Sequence, residues 1–177
     1  MGSVDSMPVE PVSGCKYGFL LMDNYSNASW VLPLRAKADA PAEFEVWAAK
    51  MENGMGSMIK AVMFDNAKEL VAGKMREYYE HQGFISDNSS VPYSPPSNVV
   101  AKRLVGVATN GTRASLRDSN LPPTFWAEAM NTFTYLRNMT PTSVTQYERF
   151  YGVKPDVGYI RTFGCIARVT LPSEKLG

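Results

Sequence analysis

Cysteine and histidine are scarce in this 177-residue chain, which holds only Cys15, Cys165 and His81. Three such ligands cannot close the usual four-ligand zinc site, so a structural zinc made of Cys and His alone is excluded. The two cysteines read as free thiols of a reducing compartment rather than as a disulfide. His81 lies in a Tyr-Glu-His-Gln run at a predicted helix end, where it reads as a C-terminal cation rather than a catalytic base. An excess of one charge is lacking too: 18 Lys and Arg face 17 Asp and Glu, a formal net charge of +1. Nucleic-acid-binding domains often carry a strong basic excess. Any DNA contact here must therefore come from a local patch, with low, salt-sensitive affinity. No window is apolar enough to span a membrane, and the N-terminus lacks the basic-then-apolar pattern of a secretory leader. The expected location is intracellular, nuclear or cytoplasmic. Secretion stays open through five Asn-X-Ser/Thr triplets at Asn24, Asn27, Asn88, Asn110 and Asn138.

What is present is an ordinary globular composition, 45% hydrophobic, and a length suited to one domain with a real core. Residues 1–16, rich in Pro, Ser and Gly, read as an irregular lead-in to a domain over 17–177. The apolar run YGFLLM (17–22) suits a buried strand, DNYSNAS a turn, and WVLPLR (30–35) the second arm of an antiparallel hairpin. Residues 39–53 form an expected amphipathic helix with Phe44, Trp47, Ala48 and Met51 on one stripe. Asp39 is its expected N-cap, with Pro41 in the first turn. SMIKAVMF (57–64) reads as a strand ending at Asp65, and 67–82 as a helix with Leu70, Met75 and Tyr79 inward. A short strand follows near Phe84 and Ile85, then a long helix from about Asn98. The paired prolines of LPPTFWAEAMNTFTYLRNM (121–139) open another helix. The tail IRTFGCIARVTLP (160–172) is strand-like. This order predicts an α/β layered fold.

Several segments together resemble one family. MFDNAKEL (63–70), VPYSPPSNVVAKRLVG (91–106), FWAEA followed by an Asn-X-Thr-Pro-Thr element (121–142) and YGVKPDVGYIRTFGC (151–165) are similar, in order, to the integrase catalytic core of copia-type retrotransposons. The resemblance implies an RNase H-like fold: a mixed sheet flanked by helices, with the first strand truncated or replaced and a C-terminal helical and strand extension. It also implies a metal triad of Asp, Asp and Glu holding two divalent ions. Asp65 falls at the second position. Asp23 belongs to a turn motif and is not the catalytic aspartate. Lys102 stands where the third ligand, the glutamate, is expected. A gapless alignment sets Gly2 at the first ligand; Asp5 reaches that place only if the following loop is shortened. A lysine is no ordinary Mg²⁺ ligand and repels metal entering beside Asp65. Lys102 then either pairs with the Asp65 carboxylate or is a solvated helix residue.

No cofactor is therefore expected, and Mg²⁺ or Mn²⁺ enters only with an intact site. Lys102, Arg103, Arg113 and Arg117 remain as basic residues for phosphate contacts. Gly106 and Gly111 each cost about 1 kcal/mol in the interior of that helix. The family's first strand is central in the sheet, and residues 1–6 look too short and polar to supply it. Residues 7–13, residues 160–172 or a second chain are the expected substitutes. Three functions stay open. One is an inactive integrase core with residual DNA binding. Another is a repurposed protein-interaction module, regulator or secreted effector, with a protein partner or a homo-oligomer contact through an exposed sheet edge. The third is an active strand-transferase or nuclease using Asp5, Asp65 and a further carboxylate.

Overall fold

The computed structural model describes residues 2–4, 11–62, 82, 85–86, 95–140 and 143–168. At its centre is a three-stranded antiparallel sheet in the order β1 (Gly2–Val4), β2 (Tyr17–Met22), β3 (Ser29–Leu34). Successive side chains of a strand point to opposite faces, and both faces of β2 are covered. Phe19 and Leu21 pack with Leu34, Phe44, Ala48 and Val62 on one side. Leu20 packs with Val31, Leu104, Ala108, Trp126 and Met130 on the other. Burial on both faces explains why YGFLLM reads as an unbroken apolar run rather than an alternating one.

The hairpin turn between β2 and β3 is held by Asp23, whose Oδ2 accepts from the backbone N–H and the hydroxyl of Ser26, each at 2.7 Å. Asn27 closes it in the left-handed region at φ 59°, a conformation Asn tolerates better than most residues. Pro33, exposed in β3, has no N–H to give a ladder, which suits an edge strand.

Helix α1 (Ala40–Met55) covers one face with Ala40, Phe44 and Ala48 fully buried. Trp47 meets Phe44 and Trp30 as neighbouring rings. Asp39 does not cap α1 with its side chain. Its carboxylate turns back to accept from the Ala36 N–H at 2.9 Å, closing the 3₁₀ turn Lys37–Asp39 that leads into the helix. The expected capping residue is thus right in place and wrong in partner. Strands β4 (Ala61–Val62) and β5 (Ile85–Ser86) pair in parallel, shorter than the 57–64 strand expected. Residues 63–64, 67–81 and Phe84, with His81, lie outside the described residues.

On the opposite face lie α2 (Pro95–Ser119), which starts three residues before Asn98, and α3 (Trp126–Met139), entered through the 3₁₀ turn Pro123–Phe125. A short α4 (Gln146–Tyr151) follows, with the Thr145 hydroxyl accepting from the Glu148 N–H at 3.0 Å and Gly152 closing it at φ 73°. Its Phe150 stands edge-on to Trp30, with ring centroids 4.8 Å apart.

Two expectations need correction. The place beside β2 is taken by the chain's own Gly2–Val4, in register Gly2↔Leu20 and Val4↔Gly18. Residues 1–16 are therefore not wholly irregular, and neither 160–172 nor a second chain is needed there. Residues 11–13 lie in a turn that ends at Gly14. The tail is not a strand over 160–168: Gly164 turns it at φ 81°, and Cys165 and Ile166 are exposed. Its apolar alternation finds no strand partner among the described residues. The stretch is tied to α3 through a hydrogen bond between the Tyr159 and Tyr135 hydroxyls. That bond, followed by burial and the two neighbouring tyrosines, pushes the Tyr135 pKa up to about 12. Cys15 and Cys165 are both free thiols.

The two glycines of α2 differ in kind. A Cβ on Gly111 would overlap the Phe133 ring of α3, whereas a Cβ on Gly106 would meet nothing within 4 Å among the described residues. Gly111→Ala is expected to lower stability by about 1–2 kcal/mol, because the ring must swing away and the gain in helix propensity is smaller. Thermal denaturation tests this. A rise in Tm for Gly111→Ala would show that the two helices do not approach this closely.

Candidate nucleic-acid interface

Helix α2 owes its orientation to one stripe. Leu104, Ala108 and Thr112 recur at four-residue spacing and are buried, and the Thr112 hydroxyl is satisfied by donating to the Ala108 carbonyl at 2.7 Å. The opposite face is solvent-exposed and carries Lys102, Arg103, Arg113 and Arg117. At 3.6 residues per turn these four fall within a sector of about 100° and along about 22 Å of helix axis. The helix has one acidic residue, Asp118, roughly 100° round from Arg117 by the same geometry. Among the described residues no carboxylate pairs with any of the four cations. Toward the C-terminal end the face lines an open cleft of about 750 Å³ bounded by Asn110, Arg113, Ala114, Ser115, Arg117 and Asp118. The structure thus gathers all four predicted basic residues on one face. It adds Asn110, seven residues after Arg103 and exposed, which helical periodicity would have flagged.

The predicted triad positions fare differently. Asp65 and Asp5 lie outside the described residues. Gly2, set opposite the first ligand by the gapless alignment, opens β1 and has no side chain to offer. Lys102 is exposed on α2, and its ammonium has no lone pair for a metal while protonated. The described residues at two of the three positions therefore do not fit a two-metal centre.

Among the described residues, FWAEA and Asn138 serve as scaffold. Trp126 and Ala127 of FWAEA enter the core around Leu20 and Leu104. Asn138 works as a side-chain extension of the sheet: its Nδ2 donates to the Ser29 carbonyl at 2.7 Å, and its Oδ1 accepts from the Ser29 N–H at 2.9 Å. Asn138 is only 7% exposed, which closes that triplet to glycosylation in the folded chain. Beside it, Arg137 donates to the Asn27 carbonyl at 3.2 Å, the Ser29 hydroxyl at 3.0 Å and Gln146 Oε1 at 3.1 Å. Burial lowers its pKa from the ordinary value. A small cavity of about 110 Å³ between β3, α3 and α4 is lined by Trp30, Thr134, Asn138, Tyr147 and Tyr151 among others.

No protein-family model matches the chain. It is similar to the retrovirus-related Pol polyprotein from transposon TNT 1-94 of Nicotiana tabacum, with 32% identity over 174 residues, 96% of this chain and 13% of that protein. It is similar to the corresponding polyprotein from transposon RE2 of Arabidopsis thaliana, with 26% identity over 90% of this chain and 11% of that protein. The chain thus spans only about an eighth of the length of these relatives. Among solved structures, an HTLV-2 integrase catalytic core domain in complex with magnesium, in its dimeric form, superposes with a TM-score of 0.56. It is 15% identical, over 77% of this chain and 84% of that one. A simian T-cell lymphotropic virus intasome in complex with a PP2A regulatory subunit gives 0.63 at 14% identity, over 95% of this chain and 58% of that one. Among the described residues no helix is long and apolar enough to cross a membrane. The chain has the RNase H-like fold of integrase catalytic cores and is an integrase-core-like relative of the copia-type retrotransposon Pol polyproteins.

Proposed function

We propose that this chain is a retrotransposon-derived integrase core that no longer carries out DNA strand transfer but still contacts nucleic acid through the outer face of α2. One observation carries the reading: Lys102, at the position of the expected glutamate, is an exposed cation on the same face as Arg103, Arg113 and Arg117. One substitution there has two effects. It removes a hard oxygen ligand that Mg²⁺ requires, and it adds a positive charge to a face that already suits phosphate. Gly2 supports the loss of chemistry, since a glycine leaves that position without a carboxylate. The fold does not depend on the metal, because FWAEA and Asn138 hold it through packing and hydrogen bonds. This reading supports an intracellular location, nuclear or cytoplasmic. Near-neutral net charge sets the affinity low.

Calorimetric titration with Mn²⁺ and Mg²⁺, on the chain and its Asp65→Asn variant, tests the loss of chemistry. The expected result is no binding in the millimolar range for either protein. Binding that disappears in Asp65→Asn would mean that another carboxylate completes the site, and the reading as an inactive core would be abandoned.

A further inference from the structure

We infer that Gly106 is a notch in the cationic face of α2 that seats a phosphodiester group of a DNA backbone. The inference rests on the nucleic-acid reading above and adds to it the point where the polyanion meets the helix. Glycine is among the poorest residues for a helix interior, so its presence in the middle of a 25-residue helix calls for a reason. Packing supplies one at Gly111, under the Phe133 ring, and none at Gly106, which is exposed and where a Cβ would meet nothing among the described residues. Gly106 lies within the cationic sector. Lys102 and Arg103 stand one turn before it, Asn110 one turn after and Arg113 two turns after, all exposed.

Long cationic side chains on either side of a bare stretch of helix form a saddle. Their ammonium and guanidinium groups reach a phosphate from both ends as charge-assisted donors, and the Asn110 amide adds a neutral donor. The missing Cβ lets the phosphate oxygens come close to the helix between them, a common use of glycine at a ligand. The cations repeat along the helix instead of converging on a point, which matches a linear polyanion better than a single free phosphate. Val99 is exposed alongside and suits the sugar edges of such a chain.

The test is fluorescence anisotropy with a labelled mixed-sequence DNA duplex of about 20 base pairs at about 50 mM salt, where backbone contacts are strong. The full chain is compared with Gly106→Leu and with the double variant Lys102→Ala/Arg113→Ala. Leu is a good helix former, so Gly106→Leu is expected to raise Tm, yet to bind the duplex about tenfold more weakly because the side chain fills the saddle. The double variant is expected to lose binding and to flatten its salt dependence. If Gly106→Leu binds within about twofold of the parent while the double variant weakens, the notch is wrong and the nucleic-acid reading stands. If the parent does not bind the duplex, or the double variant binds as the parent does, both are wrong. Self-association through this face, abolished by Gly106→Leu in a chain that ignores DNA, would likewise overturn both and mark a protein contact.

Discussion

Replacing Asn138 with Ala is expected to cost about 3 kcal/mol of stability, roughly a hundredfold in the ratio of folded to unfolded chain. The Ser29 backbone is buried at the start of β3, with 1% of the residue exposed. Its N–H and carbonyl both bond to the Asn138 side chain, at 2.9 and 2.7 Å. Truncation leaves a donor and an acceptor in the interior without partners, each costing about 1–3 kcal/mol. Ser29→Ala is the control. It removes only the hydroxyl that meets Asn138 Oδ1 at 3.4 Å and Arg137 at 3.0 Å and keeps the backbone pair, so a loss of no more than about 1 kcal/mol is expected. Urea denaturation of both variants decides the matter. Equal losses, or a midpoint for Asn138→Ala unchanged from the parent, would show that the amide does not act as a strand extension.

That role was hidden in the sequence, where Asn138 appears as a family signature and a glycosylation triplet, because its partner is 109 residues away in the chain. The same limit runs through the molecule. Elements whose stability is local were legible: YGFLLM as a buried strand, and the helix after Pro122 and Pro123. Elements made by distant pairing were not. Gly2–Val4 has no apolar pattern of its own and becomes a strand only against Gly18–Leu20. The tail has the alternation of a strand over 160–168 and meets no strand edge. Helix α4 was missed although its signals are local: Thr145 caps it, Glu148 supplies the third position and Gly152 ends it. The cationic face could be read from Lys102, Arg103, Arg113 and Arg117 by period alone. Gly106 and Gly111 could not be told apart, because only the position of Phe133 distinguishes them. Asp65 and Asp5 fall outside the described residues, so the carboxylate side of the site rests on sequence.

Duplex DNA binding is expected to weaken about a hundredfold when salt rises from about 50 to about 200 mM, if all four cations of α2 meet phosphates. Each neutralised phosphate contributes about 0.9 to the slope of log affinity against log salt, so four give about 3.6 and a fourfold rise in salt costs about two decades. Removing two charges as Arg113→Ala/Arg117→Ala should halve that slope and leave only about a twelvefold loss over the same range. Both side chains are exposed and line the open cleft at the C-terminal half of the helix, so the substitutions should leave Tm nearly unchanged, as surface changes usually do. Affinity then reports the phosphate contacts and not the fold. A slope near zero for the parent would remove DNA as the partner of this face. An unchanged slope in the double variant would place any DNA contact away from Arg113 and Arg117, toward the Lys102 end of the helix.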